Sequence, residues 1–455
     1  MRIDRRTFGA GLASVAFAGL AGRAGAQGYR SEVAGYGPLV RDPAGLFDLP
    51  EGFSYKVISR AGEAMQDGFF VPDNFDGMGA IPLDAHRTAL VRNHELKLDT
   101  DRARSATRGI AALDQRLAGL PHFGKDNEGR VLPGGTTTLV YDSRTGRRVM
   151  QHLSLAGTLV NCAGGVTPWG TWLSCEETVL RPGEVARDHG WVFEVPARGT
   201  GLVEPVALTA MGRFRHEAAA VDPRTGIVYL TEDKDDSLFY RFLPEAPGQL
   251  ARGGRLQALA LRGVTDSRNW TGRAMAQGDW AAAAWIDMDG VGSPSDDLRA
   301  RGHGRGGTLF ARGEGIHRGD GEFFFTCTSG GEKKFGQIMR YVPSRFEGQA
   351  GERREPGRLQ LFVESSDDAV LDYGDNLVVS PQGHLVVCED RTDDEVNHLR
   401  GVTPQGRIYT IARHAGSSSE LAGVCFSGDG STMFVNIYSP GQTLAVTGPW
   451  GRFAA

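Results

Sequence analysis

The sequence has few cysteines and, after its first residues, no long apolar run. Its five cysteines among 455 residues are too few and too scattered for a disulfide scaffold, and their odd number leaves at least one of them as a free thiol or a ligand. Beyond the N-terminal segment, no stretch reaches the roughly 20 apolar residues that a membrane-spanning helix needs. We therefore expect no stable membrane insertion of the mature protein.

Several catalytic signatures and an excess of positive charge are also missing. The sequence contains no G-x-S-x-G elbow, H-E-x-x-H motif, Walker A loop or Rossmann fingerprint, so neither a serine-nucleophile hydrolase nor an NAD enzyme is supported. The formal net charge is -5, and a mildly acidic surface is not expected to bind nucleic acid. Such a surface is compatible with binding cations.

Glycine is abundant, with 64 residues, and it is accompanied by 21 prolines. These two residue types suit many short strands that are joined by tight turns. Helical periodicity is scarce, and the best helix candidate lies at residues 105–120. The composition therefore predicts an all-β protein.

The N-terminal segment has the features of an export signal. Arg5-Arg6 precedes an apolar, small-residue stretch, and Ala24-Gly25-Ala26 then gives an A-x-A cleavage pattern. Paired arginines at this place are typical of the twin-arginine pathway. We expect a signal peptide at residues 1–26 that engages the twin-arginine export machinery. The mature domain would then comprise residues 27–455 and be periplasmic or secreted.

One hairpin unit recurs along the mature chain. Each copy is an apolar strand, a turn rich in Pro, Gly or Asp, and a second apolar strand that ends in polar residues. The six copies are Ala80–Glu95, Gly164–Glu177, Ala218–Asp233, Ile316–Ser329, Asp375–Asp390 and Gly423–Tyr438. They predict a six-bladed β-propeller with inserted loops, with a two-sheet sandwich as the alternative. The segment 266–307 is interpreted as a long loop that covers one face.

Acidic residues stand at the ends of several second strands. These ends are Asn93-His94-Glu95, Glu176-Glu177, Glu232-Asp233 and Glu389-Asp390. A single acidic pair would be interpreted as a solvated strand end, but equivalent positions in a propeller surround one axis. Several carboxylates that converge there are costly unless cations neutralise them. Oxygen-rich clusters prefer hard cations such as Ca²⁺.

A cysteine and two arginines add chemistry that carboxylates lack. Cys162 precedes Ala163-Gly164-Gly165, whose small side chains allow close backbone approach, and a thiolate there would select a transition metal. A buried, unreactive thiol is the alternative. Arg312 and Arg215 each stand two residues before a glutamate. Either arginine could hold a phosphate oxygen or form a surface ion pair.

Taken together, these motifs resemble the PhoX-type alkaline phosphatases over nearly the whole mature chain. The N-terminal motifs are Asp67-Gly68 through Asp76-Gly77-Met78, Arg92-Asn93-His94-Glu95, Asn161 through Gly165 with Trp169-Gly170-Thr171-Trp172, and Cys175-Glu176-Glu177. The central ones are Arg215-His216-Glu217, Thr231-Glu232-Asp233 and Phe310 through Gly315. The C-terminal ones are Asp375-Asn376-Leu377, Cys388-Glu389-Asp390, Glu420 through Phe426, Asn436 through Gly441, and Gly448-Pro449-Trp450.

The resemblance implies a six-bladed propeller that holds a ferric (Fe³⁺) pair and several Ca²⁺ ions at one end of its channel. It implies hydrolysis of small phosphate monoesters at alkaline pH by a metal-bound oxo group, hydroxide or water. The implied iron ligands are Cys162 and Glu217. The implied calcium or bridging ligands are Glu95, Glu176, Glu177, Asp233, Glu314, Asp375, Glu389 and Glu420. Asn93 and Arg312 would hold the phosphate, and we expect a monomer.

Two other classes of protein fit the same pattern. A calcium-dependent propeller hydrolase of the lactonase type would share the fold and the acidic channel, but it has no need of a cysteine ligand. A non-enzymatic propeller that binds a partner on its face is the third hypothesis. Iron content would separate the phosphatase from both alternatives, and a phosphatase assay with calcium would separate it from the binding propeller.

Overall fold

A computed structural model describes residues 28–391 and 395–453. The predicted signal peptide at residues 1–26 lies outside the described residues. No helix among the described residues is long and apolar enough to cross a bilayer.

The first strands of the chain serve blades that are completed much later. They are β1 (Leu39–Val40), β2 (Phe47–Pro50) and β3 (Ser54–Arg60). Strand β3 pairs with the last strand of the chain, and β1 and β2 extend a sheet near the C-terminus. The N-terminal region therefore closes the ring instead of opening a blade of its own.

The first half of the ring contains three antiparallel blades. Blade 1 is β4 (Phe75–Pro82), β5 (Arg87–His94), β6 (Gly134–Asp142) and β7 (Arg147–Thr158). Blade 2 is β8 (Asn161–Val166), β9 (Thr171–Glu176) and β10 (Val192–Pro196). Blade 3 is β11 (His216–Val221), β12 (Val228–Glu232), β13 (Tyr240–Pro244) and β14 (Gly254–Leu261), followed by β15 (Trp280–Asp287).

The second half repeats the same arrangement. Blade 4 is β16 (Gly313–Arg318), β17 (Phe323–Cys327), β18 (Gln337–Val342) and β19 (Arg358–Glu364). Blade 5 is β20 (Gly374–Val379), β21 (Leu385–Glu389), β22 (His398–Val402) and β23 (Ile408–His414), extended by β2 and β1. Blade 6 is β24 (Leu421–Phe426), β25 (Thr432–Ile437) and β26 (Gln442–Thr447), with β3 as its fourth strand.

The six inner strands β4, β8, β11, β16, β20 and β24 pack side by side around one channel. The first of them contacts both the second and the last, so the ring is closed. This arrangement confirms the predicted all-β, six-bladed propeller. Apolar side chains fill the space between neighbouring blades, for example Tyr229, Phe239 and Phe325 between blades 3 and 4.

The insertion at residues 266–307 differs from the predicted loop. Its central part forms β15, which pairs with β14 on one side and β19 on the other and so joins blades 3 and 4 into one nine-stranded sheet. Its last part contains the short helix α2 (Leu298–Gly304). Of the eight residues of β15, only Ala283 is buried. The predicted helix at 105–120 is shorter than expected, because α1 spans Ala111–Ala118.

Candidate metal centre

Each inner strand carries a β-bulge near its start, at the same end of the channel. In five blades, two residues of the inner strand have no ladder partner directly after the first pair, as between Asn161 and Gly164 in blade 2. In blade 6 the same shift lies between Ala422 and Cys425. A bulge bends its strand and re-aims a side chain. Six equivalent bulges therefore bring six side chains toward one axis.

A backbone hydrogen bond identifies the equivalent residues in all six blades. The amide of the residue after each second strand donates to a carbonyl two residues before the bulge residue. We call these donors the rim residues, and they are Glu95, Glu177, Asp233, Thr328, Asp390 and Tyr438. The carbonyls belong to Asn74, Val160, Arg215, Arg312, Tyr373 and Glu420. The bulge residues are consequently Asp76, Cys162, Glu217, Glu314, Asp375 and Ala422.

The bulge and rim side chains form three groups whose ligand atoms lie within 4.8 Å of one another. The thiol cluster is Cys162, Glu177 and Glu217. The carboxylate cluster is Glu217, Glu314 and Asp375, and the closing cluster is Asp76, Glu95 and Glu420. Because Glu217 belongs to two clusters, it stands where one carboxylate could bridge two cations.

The clusters are contiguous. The Cys162 Sγ lies 3.4 Å from Asp76 Oδ2, so the thiol cluster and the closing cluster share a boundary. In blade 6, Ala422 leaves the bulge position without a ligand atom, and Glu420 reaches the closing cluster from two residues upstream. Five blades therefore supply a bulge ligand, and the sixth supplies its carboxylate from a different position.

Burial and mutual repulsion disfavour the charged forms of these groups. Burial first, and the neighbouring carboxylates second, raise the pKa values of Glu177 and Asp375 to about 8. The same causes raise the pKa values of Glu217 and Asp76 well above their ordinary range, and that of the Cys162 thiol as well. Carboxyl groups in this condition either hold protons or share cations.

Several carboxylate oxygens in the clusters have no hydrogen-bond partner in the described part of the chain. Both carboxylate oxygens of Glu217 and the Oδ1 of Asp76 are buried and have no hydrogen-bond partner among the described residues. A buried polar atom without a partner costs about 1–3 kcal/mol, and more when it is charged. Cations would satisfy these atoms and cancel the repulsion, so the residues present fit a multi-metal centre.

Backbone strain is concentrated at the same place. Asn74, Val160, Arg312 and Tyr373 have φ angles of 51°, 49°, 52° and 49°, in the left-handed region that non-glycine residues rarely adopt. Each stands two residues before the bulge residue of its blade. Residues keep such angles only where the surrounding structure fixes the conformation. The backbone that leads into four of the bulges is therefore held in a conformation that its residues disfavour.

Three basic side chains lie beside the acidic clusters, at the end of the channel that carries the bulges, which we call the mouth. Arg312 donates from Nε to Asp233 Oδ1 at 2.8 Å and from Nη2 to Glu314 Oε1 at 2.9 Å. Arg215, the equivalent residue one blade earlier, lies 3.9 Å from a Glu177 oxygen. Lys97 is well exposed, and its Nζ lies 3.6 Å from Glu95 Oε1. Anionic ligands that approach this mouth therefore meet cations first.

Most of the predicted ligands converge, and three predicted site residues do not. The structure brings together Glu95, Cys162, Glu177, Glu217, Glu314, Asp375 and Glu420. Asp233 lies at the rim, where both of its oxygens bind Arg312. Whether these residues bind metals stays a prediction.

Glu176 and Glu389 point away from the axis. Glu176 accepts hydrogen bonds from His189 Nδ1 at 2.6 Å and from three backbone amides. Glu389 binds Arg400 and His398. Successive residues of a strand face opposite sides, so in each acidic pair the second residue reaches the mouth and the first is buried between blades. We therefore remove Glu176 and Glu389 from the candidate ligands.

Asn93 is not placed to hold a phosphate. Its Nδ2 donates to the carbonyls of Cys162 and Ala163 at 3.0 and 2.7 Å. Its Oδ1 accepts from Trp172 and Ser174. The side chain is fully buried and all its hydrogen-bonding positions are occupied, so it has none left for a substrate.

Four residues at the mouth were not among the predicted site residues: Asp76, Lys97, Asp390 and Tyr438. Asp76 and Asp390 lie within the quoted motifs, and the two-residue period of a strand would have selected Asp390 over Glu389. Tyr438 donates a hydrogen bond to a Glu95 oxygen. No signal in the sequence marks Lys97.

The other four cysteines are buried in the strands. Among the described residues, Cys175, Cys327, Cys388 and Cys425 are free thiols and all are buried. Burial raises the pKa values of these thiols. Cys162 alone among the five lies in a cluster with carboxylates.

Comparison with known proteins gives one family match. The model of the family described as alkaline phosphatase PhoX matches residues 34–441. No curated protein matches the chain. Among solved structures, PhoX of Pseudomonas fluorescens in complex with vanadate, a transition-state analogue, has a TM-score of 0.64 at 19% identity and covers 92% of this chain and 98% of its own. A gluconolactonase from Xanthomonas campestris has a TM-score of 0.42 at 12% identity over 91% and 98%.

Proposed function

Since this chain belongs to the PhoX alkaline phosphatase family and is a metal-dependent phosphomonoester hydrolase, we propose that its thiol cluster holds Fe³⁺ and that its two oxygen-only clusters hold Ca²⁺. A thiolate is a soft ligand that favours a transition metal, whereas groups of carboxylates favour hard cations. Cys162 belongs only to the thiol cluster.

The observation that carries this proposal is the position of Glu217. Its carboxylate is shared by the thiol cluster and the carboxylate cluster, and both of its oxygens are buried without a partner. A carboxylate has two oxygens and several lone pairs, which is enough to serve two cations at once. Glu217 would therefore serve both the Fe³⁺ proposed for the thiol cluster and the Ca²⁺ proposed for the carboxylate cluster, to which Glu314 and Asp375 also belong.

When bound, the metal ions would neutralise phosphate charge and lower the pKa of the attacking water. The protein residues then orient the substrate. Arg312 is fixed through Nε and Nη2 by Asp233 and Glu314, and its Nη1 would be the donor to the phosphoryl group, on which equatorial charge develops. Lys97 and Arg215 add positive charge on the other side. Vanadate is expected to inhibit this enzyme, because an analogue of the transition state binds more tightly than the substrate.

The metal assignment is tested on Cys162 with Cys175 as its control. Cys162→Ser keeps the shape and replaces a thiolate with a poor ligand, so we expect loss of iron and nearly all phosphatase activity in a folded protein. Cys175 lies in β9 away from the clusters, and Cys175→Ser is expected to keep its iron. Iron and calcium are measured per chain in protein purified without chelator. Full iron and activity in Cys162→Ser would contradict the assignment.

We also propose that the protein is exported and acts outside the cytoplasm. The support is the twin-arginine pattern of the first 26 residues, a pathway whose use is consistent with metals loaded before export. Replacing Arg5 and Arg6 by lysine should leave precursor in the cytoplasm. Normal export of that variant would remove the twin-arginine hypothesis.

A further inference from the structure

The carbonyl groups of four bulge residues are each held by a buried side chain of the preceding blade. The donor and acceptor pairs are Asn93 to Cys162 at 3.0 Å, Thr231 to Glu314 at 2.5 Å, Thr326 to Asp375 at 2.7 Å, and Asn436 to Asp76 at 2.6 Å. All four acceptor residues are candidate metal ligands. The four donors come from the second strands of blades 1, 3, 4 and 6.

The four donors occupy one equivalent position. Each stands two residues before the rim residue of its blade, as Thr326 stands before Thr328. The same position holds Cys175 in blade 2 and Cys388 in blade 5, where a thiol is only a weak donor. The polar residues are therefore at four of the five places where the next blade presents a candidate ligand, and the two cysteines precede the blades that present Glu217 and Ala422.

A bulge explains why these carbonyls need a donor. The extra residue of a bulge is left out of the ladder, so its peptide groups lose their regular partners. A buried carbonyl without a partner is unfavourable, and a bulge without a fixed peptide plane does not fix the direction of its side chain. A hydrogen bond from the neighbouring blade satisfies the carbonyl and fixes that plane.

We propose that Asn93, Thr231, Thr326 and Asn436 are positioning residues for the metal centre, each setting the side-chain direction of one ligand on the next blade. The inference rests on the proposed function, because it needs the bulge residues to bind cations. All four side chains are buried. Groups that orient metal ligands without touching the metal typically contribute 10–100-fold to metal affinity.

Thr326 gives the cleanest test. Thr326→Val keeps a β-branched shape and removes the hydroxyl that donates to Asp375, whereas Thr326→Ser keeps the hydroxyl. Thr138 offers a matched control, because it is a fully buried strand threonine whose Oγ1 has no hydrogen-bond partner among the described residues. Thr138→Val therefore removes a buried hydroxyl without removing a bond.

The readout is calcium affinity, taken from the rise in Tm as calcium is added back to chelated protein, together with the Tm in EGTA alone. We expect calcium affinity about 10–100-fold weaker in Thr326→Val, close to wild type in Thr326→Ser, and unchanged in Thr138→Val. Thr231→Val, which loses the bond to Glu314, is expected to behave like Thr326→Val and serves if the first variant does not fold.

Two results would overturn the proposal. One is wild-type calcium affinity in both Thr326→Val and Thr231→Val. The other is an equal loss of Tm with and without calcium at unchanged affinity, which would make the bonds ordinary fold contacts. Failure of the proposed function looks different, because wild-type protein would then show no calcium-dependent Tm in the same experiment.

Discussion

Two buried charged regions of this propeller differ in how their charge is balanced. Between the blades, Glu389 binds Arg400 and His398, and these partners hold the pKa of Glu389 below its usual range despite burial. At the axis, Glu217 has no partner for either oxygen among the described residues, and burial and neighbouring acids raise its pKa. The fold supplies counter-charges around Glu389 and too few of them at the axis.

That difference teaches where external cations are needed. A buried network of Arg241, Glu347 and Glu352 on the outer side of blades 3 and 4 is likewise complete, with Arg241 bound to both acids. Regions that supply their own counter-charge need nothing from outside. At the axis, several carboxylates are brought together without enough basic side chains, so neutralising their charge depends on metal ions.

Glu217→Gln should have the largest effect on activity. The amide cannot bridge two cations, so we expect phosphatase activity to fall by at least about 10²–10³-fold, the loss known for removing one group that stabilises a transition state. The same substitution removes a buried acid that the metal-free folded state must keep protonated and the unfolded chain ionises, so the Tm in EGTA should rise. Phosphatase assays check the loss of activity, and melting curves with and without chelator check the rise in Tm. A lower Tm in EGTA would mean that Glu217 is stabilised without metal.

Glu389→Gln should lower the stability of the protein. Breaking a buried pair leaves Arg400 charged without its partner, which costs about 3–5 kcal/mol. This loss should be the same with and without calcium, because Glu389 does not face the axis. Denaturant unfolding in calcium and in EGTA measures it. A loss confined to the calcium-loaded protein would return Glu389 to the metal ligands.

The two regions should respond to pH in opposite directions. In metal-free protein, Glu177 and Asp375 have pKa values of about 8, above their unfolded values, so the folded state keeps protons that the unfolded chain releases. Their contribution to the free energy of unfolding is complete below about pH 4. It is lost as the pH rises to 8, at about 1.4 kcal/mol per pH unit for each group. Glu389, with a lowered pKa, loses its contribution only as the pH falls.

Unfolding free energies between pH 5 and 8 check this prediction. In EGTA they should decrease toward alkaline pH, and with saturating calcium the decrease should disappear. An EGTA profile that rises toward pH 8 would show that the axis is already balanced without cations.

Lys97→Ala should give the smallest effect. Lys97 is an exposed cation beside Glu95, and exposed ionic contacts contribute about 0.2–1 kcal/mol. We therefore expect KM for a phosphomonoester to rise up to about fivefold, with unchanged Tm. Lys56→Ala on the outer strand β3 is the control and should leave KM unchanged. Equal effects of the two substitutions would indicate only a change in net charge.

The sequence was sufficient for the ring of blades because each hairpin repeats its pattern of apolar strands and turn residues. It also indicated which strand ends carry acids. It could not place the bulges, since a bulge depends on how two strands pair and leaves no fixed residue pattern. For that reason Asp76 was missed as a ligand, and Asn93 was expected to bind phosphate although it holds the bulge of the next blade. The choice between Glu389 and Asp390 was available from strand alternation.

The joint between β3 and β26 has a consequence for the order of events as the chain folds. Contacts between distant parts of a chain form late, because long loops must close first. The closing cluster takes Asp76 and Glu95 from blade 1 and Glu420 from the segment leading into blade 6, whereas the other two clusters use blades that are neighbours in sequence. We expect its cation to bind last. Occupancy of that cluster would then report that the ring is complete, which would make it a checkpoint in the proposed export of the folded chain.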